Sequence, residues 1–140
     1  VGKATIKDYQ LLFKGSQSGS YLTIEKKEGS SVPVLVWKIT EYDEARLDRY
    51  EGFPTFYYKE SMNVEVTSLL GDVSLGNVDA LIYIMHEERK LGLPSLHYYE
   101  VCLDGYAHFG FDPEFLENAL TDSVGKRYAS KLLKEVGFNE

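Results

Sequence analysis

The stretch Leu47-Asp48-Arg49-Tyr50-Glu51-Gly52-Phe53-Pro54-Thr55-Phe56-Tyr57-Tyr58 carries a helix end, a tight turn and a strand start in close succession. Upstream of it, Thr40 offers an N-cap with Asp43 three residues on, and Asp43 to Leu47 are tolerable to good helix residues. A helix of about three turns is therefore expected to end near Tyr50. Gly52 lets the chain turn tightly, and Pro54 fixes the departure into the next strand. Glu51 then falls where the helix carbonyls disfavour a further negative charge, among rings that exclude water, and both effects raise a carboxyl's pKa toward neutrality. A carboxyl tuned in this way can take a proton and return it. The pattern alone has a plainer reading as well. A Glu before Gly at a helix end is more often solvated, Asp48 and Arg49 read as an exposed ion-pair face, and the rings of residues 53–58 as half-buried strand.

Before this stretch, residues 3–13 read as a strand with a Lys7-Asp8 break, followed by a loop over residues 15–20. A second short strand is expected at 21–25, running into a polar segment at 26–31. A buried, β-branched strand is expected at 32–39, with Pro33 near its start. After the central stretch, residues 56–66 and 78–85 are strand candidates joined by a long connection over 68–77. Leu96, Tyr99, Cys102, Leu103, Tyr106 and Phe109 recur at helical spacing up to a stop at Gly110. Asp112-Pro113 opens further helical sequence in which Val124, Tyr128, Leu132 and Val136 keep a four-residue period. Strands, a short helix, more strands and a helical last third indicate an α+β class, drawn as a small curled sheet or barrel flanked by helices.

Composition bounds the rest. The 140 residues are 44% hydrophobic and fit one domain, 1–140, with 112–140 as its helical C-terminal extension. Fifteen Lys and Arg against 22 Asp and Glu give a formal net charge of -7, which argues against a phosphate-backbone binder and hence against a nucleic-acid partner. The 14% aromatic share excludes a disordered acidic segment. A single cysteine, Cys102, forms no internal disulfide, so a reducing cytoplasm is the expected location. No apolar run approaches the roughly 18 residues of a membrane span, and no membrane partner is expected.

Several chemistries find no support in the residue pattern. His97 and His108 share one expected helix but stand about 16 Å apart along it, and His86 sits at a strand end beside Glu87 and Glu88, so no metal is expected. Cys102 lies on an apolar stripe, where a buried, inert thiol is the usual case. The run Gly15-Ser16-Gln17-Ser18-Gly19-Ser20 lacks the dinucleotide and Walker patterns and reads as a hairpin connection.

One resemblance gathers these features. Leu47-Asp48-x-x-Glu51-Gly52-x-Pro54-x-x-Tyr57, followed by a strand and then by Pro94-Ser95-x-x-Tyr98 and Gly105-Tyr106, resembles the γ-glutamyl cyclotransferase-like family over roughly residues 3–120. Its members include the γ-glutamylamine cyclotransferases and the plant avirulence-induced-gene (AIG2-like) proteins. The resemblance implies a small mixed β-barrel with flanking helices and a cofactor-free reaction. In that reaction a γ-glutamyl amine or γ-glutamyl amino acid cyclises to 5-oxoproline and releases a free amine. It matches Glu51 to the family's catalytic glutamate, a general base that becomes a general acid, and it matches Tyr57 and Tyr98 to tyrosines near the bound glutamyl group.

The family's N-terminal strand and Tyr-Gly-Ser-Asn type loop, whose backbone N–H groups cradle the substrate, have no counterpart in these residues. Either the chain starts downstream of them, as its Val-Gly-Lys beginning suggests, or the protein does without the cradle and acts as a non-catalytic small-molecule binding module of the same fold. A barrel without its first strand exposes a sheet edge, and disturbed packing, strand exchange or a homodimer are the expected consequences.

Overall fold

The computed structural model describes residues 2–16 and 19–137. Strand β1 covers Gly2–Ser16 and β2 covers Gly19–Val36; helix α1, Glu41–Glu51, precedes β3, Tyr57–Thr67, β4, Ser74–Met85, and the two-residue β5, Lys90–Leu91. Helices α2 (Leu96–Phe109), α3 (Glu114–Val124) and α4 (Lys126–Gly137) follow. The strands run in the order β2-β1-β3-β4, with β5 paired to β1. The β1–β3, β1–β5 and β3–β4 ladders are antiparallel. The α+β class is as the sequence indicates. Among the described residues the strand order has two ends, so the expected barrel is an open sheet.

Four differences from the sequence reading have local causes. The segments expected as separate strands at 21–25 and 32–39 are one strand, β2, which stops at Val36, so Trp37 and Ile39 are exposed and not buried strand. Among the polar residues between them, Gly29 takes a positive φ of 85° and its N–H donates to Asp8 Oδ1 at 3.1 Å, while Asp8 is itself left-handed at φ 64°. The Lys7-Asp8 break is thus a kink inside a continuous strand. The loop expected at 15–20 shrinks, since Gly15 and Ser16 belong to β1 and Gly19 and Ser20 to β2; Gln17 and Ser18 lie outside the described residues. A Cβ on Gly15 would collide with the Gly19 carbonyl oxygen, so that approach requires glycine. The four-residue helical period past residue 124 is cut by Gly125, at φ 85°, into α3 and α4.

The chain falls into two compact units, and β1 and β2 contribute to both. The first comprises residues up to Tyr9 and Lys26–His86. Its strands bury Ile6, Val32, Val64, Val66 and Ile84, each at most 6% exposed. The β3–β4 hairpin organises it, with cross-strand partners from Tyr57 opposite Met85 to Thr67 opposite Ser74 and an irregularity at Val66/Thr67.

The second unit comprises Gln10–Glu25 and the chain from Glu87 onward. Phe13 of β1, Tyr99 of α2, Leu116, Ala119 and Leu120 of α3, and Ala129 and Leu132 of α4 form its apolar core. The segment read as a C-terminal extension therefore supplies most of that core. Ser123 ties β1 to α3, accepting from the Phe13 N–H at 2.8 Å and donating to the Ala119 carbonyl at 2.7 Å. Lys14, 4% exposed, pairs with Glu25 and donates to the Glu87 carbonyl at 3.1 Å.

Candidate active site

Helix α1 is built for its ends. Thr40 and Asp43 form a reciprocal capping box, the Thr40 hydroxyl accepting from the Asp43 N–H at 3.1 Å and the Asp43 carboxylate accepting from the Thr40 N–H at 3.0 Å. Those two bonds hold the Asp43 carboxyl below the usual carboxylate range. At the other end Gly52 adopts the left-handed conformation, φ 70° and ψ 38°. Its N–H donates to the Arg49 carbonyl at 3.3 Å and the Phe53 N–H to the Asp48 carbonyl at 2.8 Å, the paired closure that satisfies orphan helix carbonyls. Glu51 is thereby fixed as the last helical residue, one beyond the end expected near Tyr50.

The turn after Glu51 is pinned from both sides. The Phe56 N–H donates to the Gly52 carbonyl at 2.8 Å, the Phe53–Pro54 peptide is cis, and the His86 N–H reaches the Phe56 carbonyl at 3.3 Å. His86 Nε2 lies 2.6 Å from the Pro54 carbonyl oxygen, and its ring stands 5.2 Å from that of Tyr58. His86 thus anchors the turn that precedes β3.

No residue of α1 is fully buried, and polar groups link the helix to the hairpin. Glu44, Asp48 and Glu51, at i, i+4 and i+7, lie on one helix face. Lys59 and Tyr83 are direct cross-strand partners and point to one face of the β3–β4 hairpin. The Lys59 ammonium donates to Glu44 at 2.7 Å and to Asp48 at 3.1 Å, and lies 4.4 Å from the centre of the Phe53 ring. The Tyr83 hydroxyl donates to Asp48 Oδ1. Tyr57, two residues before Lys59 on the same strand, shares the face of β3 that meets these groups and is 9% exposed.

The electrostatics divide the two carboxylates of the final turns. Hydrogen bonding from Tyr83, with help from Lys59, holds the Asp48 carboxyl below its ordinary range. Glu51 is raised, and the cause is desolvation by the surrounding structure. The bonds from Glu44 and Asp48 raise Lys59, so it stays charged. The Tyr83 phenol is pushed well above its ordinary value by burial first and by the Asp48 bond and the carboxylates of Asp48, Glu44 and Glu51 after it, so it stays a hydroxyl donor.

Asp48, read from sequence as part of an exposed ion-pair face, is instead a half-buried member of this network. The i, i+4, i+7 recurrence of Glu44, Asp48 and Glu51 is the sequence signal that marks the face; Lys59 and Tyr83 carried none. The opposite side of α1 borders a shallow groove of about 490 Å³ lined by Ile39, Asp43, Arg46, Leu47, Arg49 and Tyr50. Neither Glu51 nor Tyr57 lines it.

Tyr98 belongs to the second unit. In Pro94-Ser95-x-x-Tyr98, Ser95 is the N-cap of α2, its hydroxyl accepting from the Tyr98 N–H at 3.1 Å. The Tyr98 hydroxyl accepts from the Leu22 N–H at 3.1 Å, and its ring meets Tyr21 edge-on at 5.1 Å. The motif thus has a local structural reason. Cys102, one turn on, is half-buried, and burial pushes its thiol up against a smaller lowering effect of Tyr98. Burial likewise raises the Tyr106 phenol to about 12. Among the described residues no three His, Cys, Asp or Glu side chains gather as a metal-binding group, and no helix is long and apolar enough to cross a membrane.

Two solved structures, the uncharacterized protein loc79017 from Homo sapiens and a gamma-glutamyl cyclotransferase, superpose with TM-scores of 0.66 and 0.67. Each is 23% identical, and the matches cover 96% of this chain and 83% and 84% of theirs. At that identity the likeness shows the fold. No curated protein sequence matches significantly. The family model described as gamma-glutamyl cyclotransferase, AIG2-like, matches residues 1–100, which include the whole of α1 and the β3–β4 hairpin. With most of its length matched and the fold shared, this chain belongs to the gamma-glutamyl cyclotransferase, AIG2-like family.

Proposed function

We propose that the protein converts a γ-glutamyl amine or γ-glutamyl amino acid to 5-oxoproline and a free amine, with Glu51 moving the protons. The observation that carries this reading is Glu51 itself: a half-buried carboxyl at a helix C-terminus, raised by desolvation, beside an Asp48 held ionised. Two carboxyls whose surroundings push them apart are suited to different tasks, and the raised one suits proton transfer.

The substrate's α-ammonium first gives a proton to Glu51, which frees the nitrogen lone pair. That nitrogen attacks the γ-carbonyl, closing a five-membered ring. As the tetrahedral centre collapses, the bond from the γ-carbon to the leaving nitrogen breaks and Glu51 returns a proton to that nitrogen. The attacking nitrogen gives up a second proton by the same route. Two protons leave one nitrogen and two reach the other, so no water, cofactor or redox step enters. Tyr57 is assigned to holding the glutamyl group, Tyr98 keeps that role only as what the family resemblance implies, and the lone thiol of Cys102 fits a reducing cytoplasm.

The test is 5-oxoproline release from a panel of γ-glutamyl amines and γ-glutamyl amino acids by protein expressed from the complete gene, with Glu51→Gln in parallel. Release by the parent and at least a hundredfold loss in the variant is the expected result, an order of magnitude set by general acid–base catalysis. Saturable binding of 5-oxoproline without release by the parent would assign the protein as a binding module instead.

A further inference from the structure

We propose that Asp48 and Tyr83 form a positioning pair for Glu51, with Lys59 as its cationic clamp. The proposal rests on the reading of Glu51 as the proton-transferring group. Its starting point is that no residue of α1 is fully buried, while its polar face is bonded to the β3–β4 hairpin through Asp48 and Glu44.

Asp48 fixes that turn in two ways. Its main-chain carbonyl accepts the Phe53 N–H at 2.8 Å, closing the helix around Glu51. Its carboxylate takes the Tyr83 hydroxyl on one side and the Lys59 ammonium on the other. Tyr83 and Lys59 face each other across the β3–β4 ladder, so their spacing is set by main-chain pairing and not by flexible loops. Glu51 follows Asp48 by three residues, on the same helix face. The hairpin therefore reaches Glu51 through Asp48.

Lys59 also binds Glu44 one turn earlier and lies against the Phe53 ring just beyond the helix, so one cation spans the segment that carries Glu51. The pair separates two duties. Asp48 remains an anion that accepts hydrogen bonds, while Glu51 keeps the affinity for a proton that desolvation gives it. Loosening the last turn would hydrate Glu51 further and return its carboxyl toward the ordinary range.

The experiment compares full-length parent with Tyr83→Phe, Asp48→Ala and the double variant. Two readouts are taken at a temperature where each is folded: steady-state 5-oxoproline release, and the titration midpoint of the Glu51 carboxyl by carbon-13 NMR. For Tyr83→Phe the expected result is a kcat lowered about tenfold with KM within about twofold, and a Glu51 midpoint moved down toward the ordinary glutamate value. The double variant is expected to lose no more kcat than the worse single one, because both act through one bond. An unchanged kcat and Glu51 midpoint in folded Tyr83→Phe would overturn the proposal, leaving Tyr83 a merely stabilising residue. Should the parent release no 5-oxoproline, the catalytic reading alone fails and the Glu51 midpoint decides: a downward move supports positioning, and an unmoved one overturns it.

Discussion

Glu51 carries a carboxyl whose surroundings favour its protonated form, and that preference has a thermodynamic sign. Its folded-state pKa lies above the ordinary value of 4.5, so the folded protein holds that proton more tightly than the unfolded chain does. The stability it contributes is fully present below the unfolded value and is lost as pH rises through the folded one. Glu51→Gln should therefore raise the melting temperature more at pH 7 than at pH 4, checked by thermal melts of both proteins at the two pH values; an equal change would mean that Glu51 is solvated. The place of Glu51 at the end of α1 was legible because the cap and the following glycine are local in sequence, and of the two influences read there on its carboxyl, desolvation is the one that acts. The identity of Asp48's partners was not legible. Tyr83 lies 35 residues away, and only the pairing of β3 with β4 brings its hydroxyl to that carboxylate.

Helices were read more faithfully than strands. Both α1 and α2 begin at a Thr or Ser cap and end at a left-handed glycine, signals that act within one turn of chain. Strand limits depend on partners distant in sequence, so the continuity of β2 through its polar middle is not readable locally: Gly29 bonds Asp8, 21 residues before it. The two-residue β5 had no readable pattern at all; it exists because Lys14 and Gly15 offer it an edge. The C-terminus of α1 gives the sharpest element-scale test. Gly52 combines φ 70° with a 3.2 Å approach of any added Cβ to the Phe56 Cβ. Gly52→Ala should cost about 1–2 kcal/mol of stability, read as a lower midpoint in urea unfolding with an unchanged slope. The same substitution at Gly105, an exposed helical position with nothing within 4 Å of the added Cβ, should be neutral or slightly stabilising.

For the whole molecule, the α+β class followed from the order of elements, whereas the division into two units did not. Strands β1 and β2 each enter both units, and no change of composition marks where they pass from one to the other. The burial of Lys14 in the second unit has a practical consequence. Desolvation lowers this amine's pKa despite the raising influence of Glu87 and Glu88, so more of it is in the nucleophilic free-base form than an exposed lysine would show at the same pH. At 4% exposure, however, an acylating reagent cannot reach it in the closed protein. Lys14 is thus a built-in chemical clock. In a time course of acylation read by mass spectrometry, it should be among the last lysines modified under native conditions, and it should accelerate steeply in mild denaturant. Its labelling rate would report how often this part of the chain opens, with no probe attached and no residue changed.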